Sequence, residues 1–97
     1  MKEEKEINLI GKLLLERLIN MDKWGGAHSE LNRVVKSLPS YLKMTNQGKK
    51  KVHDAIKMVV KNEFLLSKPS TGEIHVSLNP RKKKEIFEFI ENNERKL

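Results

Sequence analysis

Three histidines are the side chains of this sequence best suited to catalysis or metal binding. His28, His53 and His75 fall in three separate predicted elements, without the His-x-x-x-His spacing that places two imidazoles side by side on a helix. Ser29 follows His28, but adjacency in sequence does not make a nucleophile and base pair. The chain has no Cys, which removes thiol catalysis and cysteine-based zinc sites. We therefore expect no enzyme, metal site or cofactor, and we interpret His28 as a hydrogen-bonding residue that holds its loop against the second or third helix.

Cationic and amide side chains offer a different chemistry, the binding of nucleic acid. The net charge is +7, and it is unevenly spread: residues 1–22 carry four Lys or Arg against five Asp or Glu, whereas residues 41–84 carry eleven against three. A positive field confined to one half of the chain favours a polyanionic partner for that half. Solubility is the alternative explanation of one charged run. Two runs that flank a predicted hairpin favour the nucleic-acid explanation.

The third predicted helix, residues 46–62, would carry the first cationic group. Its apolar residues recur on one face: Val52, Ala55, Ile56, Val59 and Val60. Gln can pair with adenine through two hydrogen bonds, and Lys can contact guanine or phosphate. In helix-turn-helix proteins the early, outward residues of such a helix reach base edges in the major groove. The residues that we expect to contact DNA here are Asn46, Gln47, Lys49, Lys50, Lys51, His53 and Lys57.

A hairpin over residues 64–78 is predicted next, with strands at 64–67 and 73–78 around a tip at 68–72. The second strand alternates, with Ile74, Val76 and Leu78 on one side. Such a hairpin is only marginally stable alone, so it must lie against the helices. The tip would then act as a wing, and its residues that could touch phosphates are Lys68, Ser70 and Thr71.

The last predicted helix opens at Asn79 and Pro80, with Asn79 as N-cap and Pro80 at the first helical position. Four cations follow in its first turn, where the helix dipole disfavours positive charge: Arg81, Lys82, Lys83 and Lys84. A phosphate contact near the wing is one explanation, and chance in a Lys-rich chain is the other. The apolar residues expected on its inner face or near its edge are Ile86, Phe87, Phe89, Ile90 and Leu97.

The first predicted helix has an unusually broad apolar stripe. Its members are Ile7, Leu9, Ile10, Leu13, Leu14, Leu15, Leu18, Ile19 and Met21. Either the helix is sandwiched between other helices of its own domain, or part of it pairs with a second copy in a homodimer through residues 7–21. Residues 1–6 alternate between acidic and basic and are expected to be frayed.

A turn, a short helix and a connector lead from the first predicted helix to the third. Residues 23–26 end the first helix, with Trp24 packed beside the turn. A second helix is predicted over residues 28–38, with Ser29 as its preferred N-cap and Pro39 as its stop. Its inward residues are Leu31, Val34, Val35 and Leu38. Residues 40–46 then form a packed connector, and Asn46 or Thr45 would cap the third helix.

This order of elements predicts a single domain over residues 1–97, mainly α with a small β-hairpin. It is the pattern of a winged helix-turn-helix: a three-helix core, a wing and a C-terminal helix. The Trp-Gly-Gly-x-His string at 24–28 and the Ser-Leu-Asn-Pro-Arg string at 77–81 resemble a small archaeal winged helix-turn-helix family with mostly uncharacterised members. The resemblance covers about residues 23–92. It implies a winged-helix fold and double-stranded DNA as partner, and it supplies no agreed catalytic or base-reading residues.

We therefore expect a DNA-binding transcription or chromatin-associated factor, with helix 46–62 in the major groove and hairpin 64–78 as wing. The alternative is a protein–protein interaction module that uses the same fold without specific DNA binding. RNA binding is a lesser option, because aromatic side chains for base stacking are scarce. No apolar run approaches the roughly 18 residues of a membrane span, and the acidic start is unlike a signal peptide. A cytoplasmic protein without membrane partners is expected.

Overall fold

The computed structural model describes residues 2–94, and within them four α-helices pack around a three-stranded sheet. The elements are α1 (Lys2–Asn20), β1 (Ser29–Glu30), α2 (Leu31–Lys36), α3 (Asn46–Lys61), β2 (Leu65–Ser70), β3 (Glu73–Leu78) and α4 (Lys83–Asn92). Single 3-10 turns, Ser40–Leu42 and Pro80–Lys82, precede α3 and α4. The sheet is antiparallel in the order β1-β3-β2. No helix in this part of the chain is long and apolar enough to cross a membrane.

The hydrophobic core lies between α1, the other helices and the inner face of the sheet. Its buried apolar residues are Ile10, Leu14, Leu15, Leu18, Val34, Leu38, Val52, Ala55, Val59, Leu65, Val76, Leu78, Ile86 and Ile90. Helix α1 is central, because it packs against α2, α3, α4 and β3. Its broad stripe is therefore used inside its own domain. The large apolar side chains exposed in residues 2–94 lie outside α1: Tyr41, Met44, Leu66, Ile74 and Phe87.

The beginning of the chain belongs to the first helix. Helix α1 starts at Lys2, so residues 2–6 form its first turn and the start of its second. Glu3 and Glu4 lie in the first turn, where carboxylates interact favourably with the helix dipole. Glu6 accepts a hydrogen bond from the Lys51 ammonium of α3, which ties this end to the domain. Met1 and Leu97 lie outside the described residues.

A two-residue strand replaces the predicted start of the second helix. Ser29 pairs with Val76 and Glu30 with His75, so α2 begins only at Leu31. Ser29 is 6% exposed within the sheet and does not cap the helix, and Glu30 at the N-cap position makes no side-chain capping bond. The predicted hairpin is therefore part of a three-stranded sheet. A strand of two residues has no alternation long enough to be recognised in the sequence.

Helix α3 begins with a hydroxyl cap and a close backbone contact. The Thr45 Oγ1 accepts a hydrogen bond from the Gly48 N–H at 2.9 Å. Of the two predicted caps, Asn46 and Thr45, it is therefore Thr45 that forms the N-cap. A Cβ at Gly48 would lie 2.3 Å from the Leu42 carbonyl oxygen. Only glycine lets the 3-10 turn approach α3 so closely. Val52, Ala55 and Val59 are buried, as their spacing predicted.

The hairpin is longer and its turn tighter than predicted. Strand β2 runs on through Ser70, and only Thr71 and Gly72 form the turn. Both have positive φ, +29° and +79°, as in the two-residue turns that match the twist of a hairpin. Lys68 and Ser70 therefore belong to β2 rather than to a loose tip. Pro69 is tolerated because β2 is an edge strand.

Asn79 organises the passage from the sheet to α4. Its Oδ1 accepts a hydrogen bond from the Arg81 N–H at 3.1 Å, so Asn79 is a cap as predicted, but of the 3-10 turn Pro80–Lys82 and not of α4 itself. Its Nδ2 also donates to the Glu63 carbonyl at 2.9 Å, linking the end of β3 to the start of β2. The residues after it form a 3-10 turn, and α4 proper begins at Lys83. Ile86 and Ile90 are buried, as predicted.

Candidate nucleic-acid interface

The outer face of α3 is exposed and rich in hydrogen-bond donors. Core residues Val52, Ala55 and Val59 fix the inner face, and 3.6 residues per turn place the polar residues opposite them. The predicted DNA-contacting residues of α3 that are exposed are Asn46, Gln47, Lys49, Lys50, His53 and Lys57. Lys61 extends the same face. We call these seven residues the α3 face. Within residues 2–94 their side chains make no hydrogen bond or ion pair.

Lys51 departs from the rest of the predicted set. It is half-buried, and its ammonium pairs with the Glu6 carboxylate of α1. The hydrogen bond from Lys51 lowers the pKa of Glu6 from its ordinary value of 4.5. Lys51 therefore joins α3 to α1, and its charge is already partly compensated within the domain.

The predicted wing residues are exposed at the distal end of the hairpin. Lys68 and Ser70 lie in β2 and Thr71 in the turn. Helix α3 packs against β2, which places the wing next to the element that carries the α3 face. Ile74 is 50% exposed beside Pro69, its partner in the register, so the apolar side of the hairpin extends past the core.

The four cations at residues 81–84 are divided between two environments. Arg81, Lys83 and Lys84 are exposed, whereas Lys82 is half-buried. The Lys83 Nζ lies 5.7 Å from the centre of the Trp24 ring, close enough for a cation–π contact. Trp24 also stacks with Phe87 at a centroid distance of 6.3 Å. Helix α4 packs against α1, so this cationic group is carried by a different part of the domain from α3.

A second polar cluster, which the sequence did not predict, lies at the β1–β3 edge of the sheet. His28 and His75 are bonded Nδ1 to Nδ1 at 2.9 Å, and their rings are nearly perpendicular. The His75 Nε2 lies 3.4 Å from the Glu73 Oε1. The prediction that His28 holds its loop against helix 2 or 3 is wrong, because its partner is on β3. We call His28, Glu30, Glu73 and His75 the histidine edge.

The two carboxyl groups of the histidine edge influence each other. The hydrogen bond with Glu73 raises the pKa of Glu30. The hydrogen bond with Glu30 lowers the pKa of Glu73, and the hydrogen bond with His75 lowers it further. A cleft of about 350 Å³ opens beside them and is also lined by Met21, Lys23 and Arg33. No group of three or more His, Asp or Glu in residues 2–94 is arranged to hold a metal ion.

The alternation of β3 does predict an outward His75, but nothing in the sequence places His28 beside it. That contact depends on β1, whose two residues bring the preceding loop against the middle of β3.

A third surface lies where the 3-10 turn meets α1. A cleft of about 360 Å³ is lined by residues of α1, the 3-10 turn and the start of α3: Glu6, Leu9, Ile10, Tyr41, Leu42, Thr45, Gln47, Gly48 and Lys51. Tyr41 is 61% exposed and the nearby Met44 is 76% exposed. The prediction that the connector is packed holds for the half-buried Leu42 but not for these two residues.

Comparisons of the chain with protein-family models, curated proteins and solved structures found no match.

Proposed function

We propose that this protein is a DNA-binding winged helix, a transcription or chromatin-associated factor. Helix α3 would lie in the major groove, and the β2–β3 hairpin would lie alongside as the wing. The observation that carries the proposal is the α3 face: exposed cationic and amide side chains on one side of a helix whose other side is buried. Such a face can combine phosphate attraction with contacts to base edges.

The order of the elements supports a winged helix-turn-helix. Helices α2 and α3 are joined by residues 37–45, which include a 3-10 turn, a hairpin follows α3 directly, and β1 pairs with the other side of β3. In helix-turn-helix proteins the second helix of the pair is the one that enters the major groove. In this chain that helix is α3.

Duplex DNA is favoured over single-stranded nucleic acid by the state of the aromatic residues. Base stacking on single strands needs accessible rings. Trp24 stacks with Phe87, and Phe64 packs against Phe89 at a centroid distance of 5.4 Å. Trp24, Phe64 and Phe89 are half-buried, and the exposed rings in residues 2–94 are Tyr41 and Phe87, of which Phe87 is stacked on Trp24. Few rings are therefore available for a base to stack on.

Fluorescence anisotropy of a labelled duplex, titrated with the full chain at several salt concentrations, tests the proposal. Each neutralised phosphate releases counterions, so six contacts would give a slope of roughly −5 in log affinity against log salt. Binding with a steep slope supports the proposal, and resistance to a random-sequence competitor would add sequence specificity. Absence of binding at low salt would contradict it.

The exposed Tyr41 and Met44 favour a second candidate, a protein–protein interaction module. Aromatic residues and Met are enriched at interfaces between proteins. These two side chains lie between α2 and α3, next to the cleft at the start of α3. A module of this kind would bind DNA weakly and without sequence preference, and it would keep its protein partner at high salt. Pull-down at high salt, compared between the natural chain and a Tyr41→Ser, Met44→Ser variant, separates the two functions.

A further inference from the structure

We propose that the His28–His75 pair is a proton-operated latch that fastens the loop before β1 onto β3 and opens when both rings are charged. The proposal is independent of the proposed function, since it concerns a contact within the chain. It starts from the bond between the two Nδ1 atoms, 2.9 Å long, which joins residues 47 positions apart in sequence.

A bond between two imidazole nitrogens requires one donor and one acceptor. The neutral pair meets this requirement, and so does the pair with a single positive charge, because one Nδ1 keeps its lone pair. With both rings protonated, each Nδ1 carries a hydrogen and neither can accept. Two cations would then face each other at 2.9 Å, a distance at which like charges repel strongly. The bond is therefore lost in acid.

The surroundings stabilise the singly charged pair. The Glu73 carboxylate lies beside the Nε2 of His75, so a protonated His75 can donate to Glu73 from one nitrogen and to His28 from the other. Other charged groups also face the pair. They are Glu30 of β1, Arg33 of α2, Lys23 of the preceding loop and Lys68, which lies opposite His75 in the register.

The bond between His28 and His75 matters because few other contacts fix the residues just before β1. The strand pairs with β3 through only two residues, Ser29 and Glu30. The segment before it is anchored separately at Leu78, whose carbonyl accepts from the Gly25 N–H at 2.9 Å. His28 lies between these anchors, and its bond to His75 closes the gap. Loss of the bond would free the start of β1 while the anchor at Leu78 remained.

The two carboxyl groups beside the imidazoles shift in opposite directions. The hydrogen bond with Glu73 raises the pKa of Glu30, whereas the hydrogen bonds with Glu30 and His75 lower the pKa of Glu73. The carboxyl pair therefore gives no single pH response, and the latch depends on the imidazole bond. The opening is a local change at residues 27–29, and β3 keeps its place in the sheet.

Amide hydrogen exchange of the full chain, measured by NMR between pH 8 and pH 5, tests the latch, because His side chains change charge in this range. Protection of the Ser29 and Val76 amides, which pair β1 with β3, divided by protection at the β2–β3 pairs, is expected to fall roughly tenfold on acidification. In His28→Gln the ratio should be low throughout and independent of pH. His53→Gln, which removes the remaining imidazole from the exposed side of α3, should behave like the natural chain.

Two results would overturn the latch. One is a ratio in the natural chain that stays constant across the pH range, a measurement that does not depend on any variant folding. The other is a fall of equal size in His28→Gln.

Discussion

The α3 face and the histidine edge are both polar surfaces, but their charges are used differently. On the α3 face the side chains are cationic or neutral, exposed and without bonds among residues 2–94. On the histidine edge, acidic and imidazole groups bond to one another: His28 to His75, and Glu73 to His75. Charges that are satisfied inside the domain contribute to its structure. Charges of one sign left free attract a partner from outside.

The comparison also distinguishes the residues that the sequence could identify from those it could not. Residues of the α3 face share one helix, so a period of 3.6 places them together. Residues of the histidine edge come from a loop and two strands, and only the folded chain brings them into contact. In the sequence, the groups of the histidine edge therefore stand apart from one another as single residues.

The largest effect is expected from reversing two charges of the α3 face. Lys50→Glu combined with Lys57→Glu should weaken duplex DNA binding about hundredfold or more, since two phosphate attractions become repulsions. Circular dichroism should remain unchanged, because both side chains are exposed. Lys2→Glu with Lys5→Glu changes the net charge equally on exposed positions of α1 and should weaken binding far less. Equal losses in the two double variants would mean that the α3 face has no special role.

A second change tests what holds the α3 face in position. Gly48→Ala would place a methyl group against the Leu42 carbonyl, and we expect a loss of about 2 kcal/mol in the free energy of unfolding. For a domain of this size that corresponds to a fall in Tm of roughly 10 °C in a thermal melt. Gly26→Ala, where no atom lies within 4 Å of the added Cβ, serves as the control. Similar Tm values for both variants would contradict the close approach of the turn to α3.

A smaller change removes the cap of the same helix. Thr45→Ala leaves the Gly48 N–H without its hydroxyl acceptor and should cost about 1 kcal/mol. Urea unfolding is the appropriate measurement, with Thr45→Ser as the variant that keeps the hydroxyl and most of the stability. If the serine variant is as unstable as the alanine variant, the methyl group rather than the cap accounts for the loss.

The smallest change concerns Lys51. It lies in α3, but its ammonium is paired inside the domain, with the Glu6 carboxylate. The Lys51 hydrogen bond lowers the folded-state pKa of Glu6, so its contribution to stability is present above about pH 4.5 and is lost as the pH falls through the lowered pKa. Lys51→Met should therefore lower Tm slightly at pH 7 and leave it unchanged at pH 2. A difference of the same size at both pH values would show that the Lys51 stem, and not its charge, stabilises the fold.

Much of the fold follows from periodicity and capping residues. The apolar stripes of α1 and α3, the hairpin and the Asn79 cap were all predicted and are present in the structure. The error at the second helix has its cause in tertiary contact over a short segment. Ser29 is in a strand because β3 offers it a partner. That contact has no local signature.

For the candidate site, the sequence predicts which side chains are exposed but not which of them are paired within the domain. Exposure of the outer residues of α3 follows from the burial of Val52 and Ala55. Spacing alone could not reveal that Lys51 is paired with Glu6 or that Lys83 lies over Trp24. Both contacts join residues far apart in the chain. The charge of a side chain can be read from sequence, whereas its availability to a partner depends on its neighbours in space.

Pro69 has a consequence for the behaviour of the protein at high concentration. The turn at Thr71 and Gly72 makes Ser70 and Glu73 the closing hydrogen-bonded pair, so the nitrogen of Pro69 points away from β3 toward the open side of β2. A strand from another molecule would find no N–H there, and Lys68 adds a charge beside it. The opposite edge, β1, is only two residues long. Because neither edge strand offers a long row of free backbone N–H groups, the sheet resists the edge-to-edge pairing that leads to aggregation.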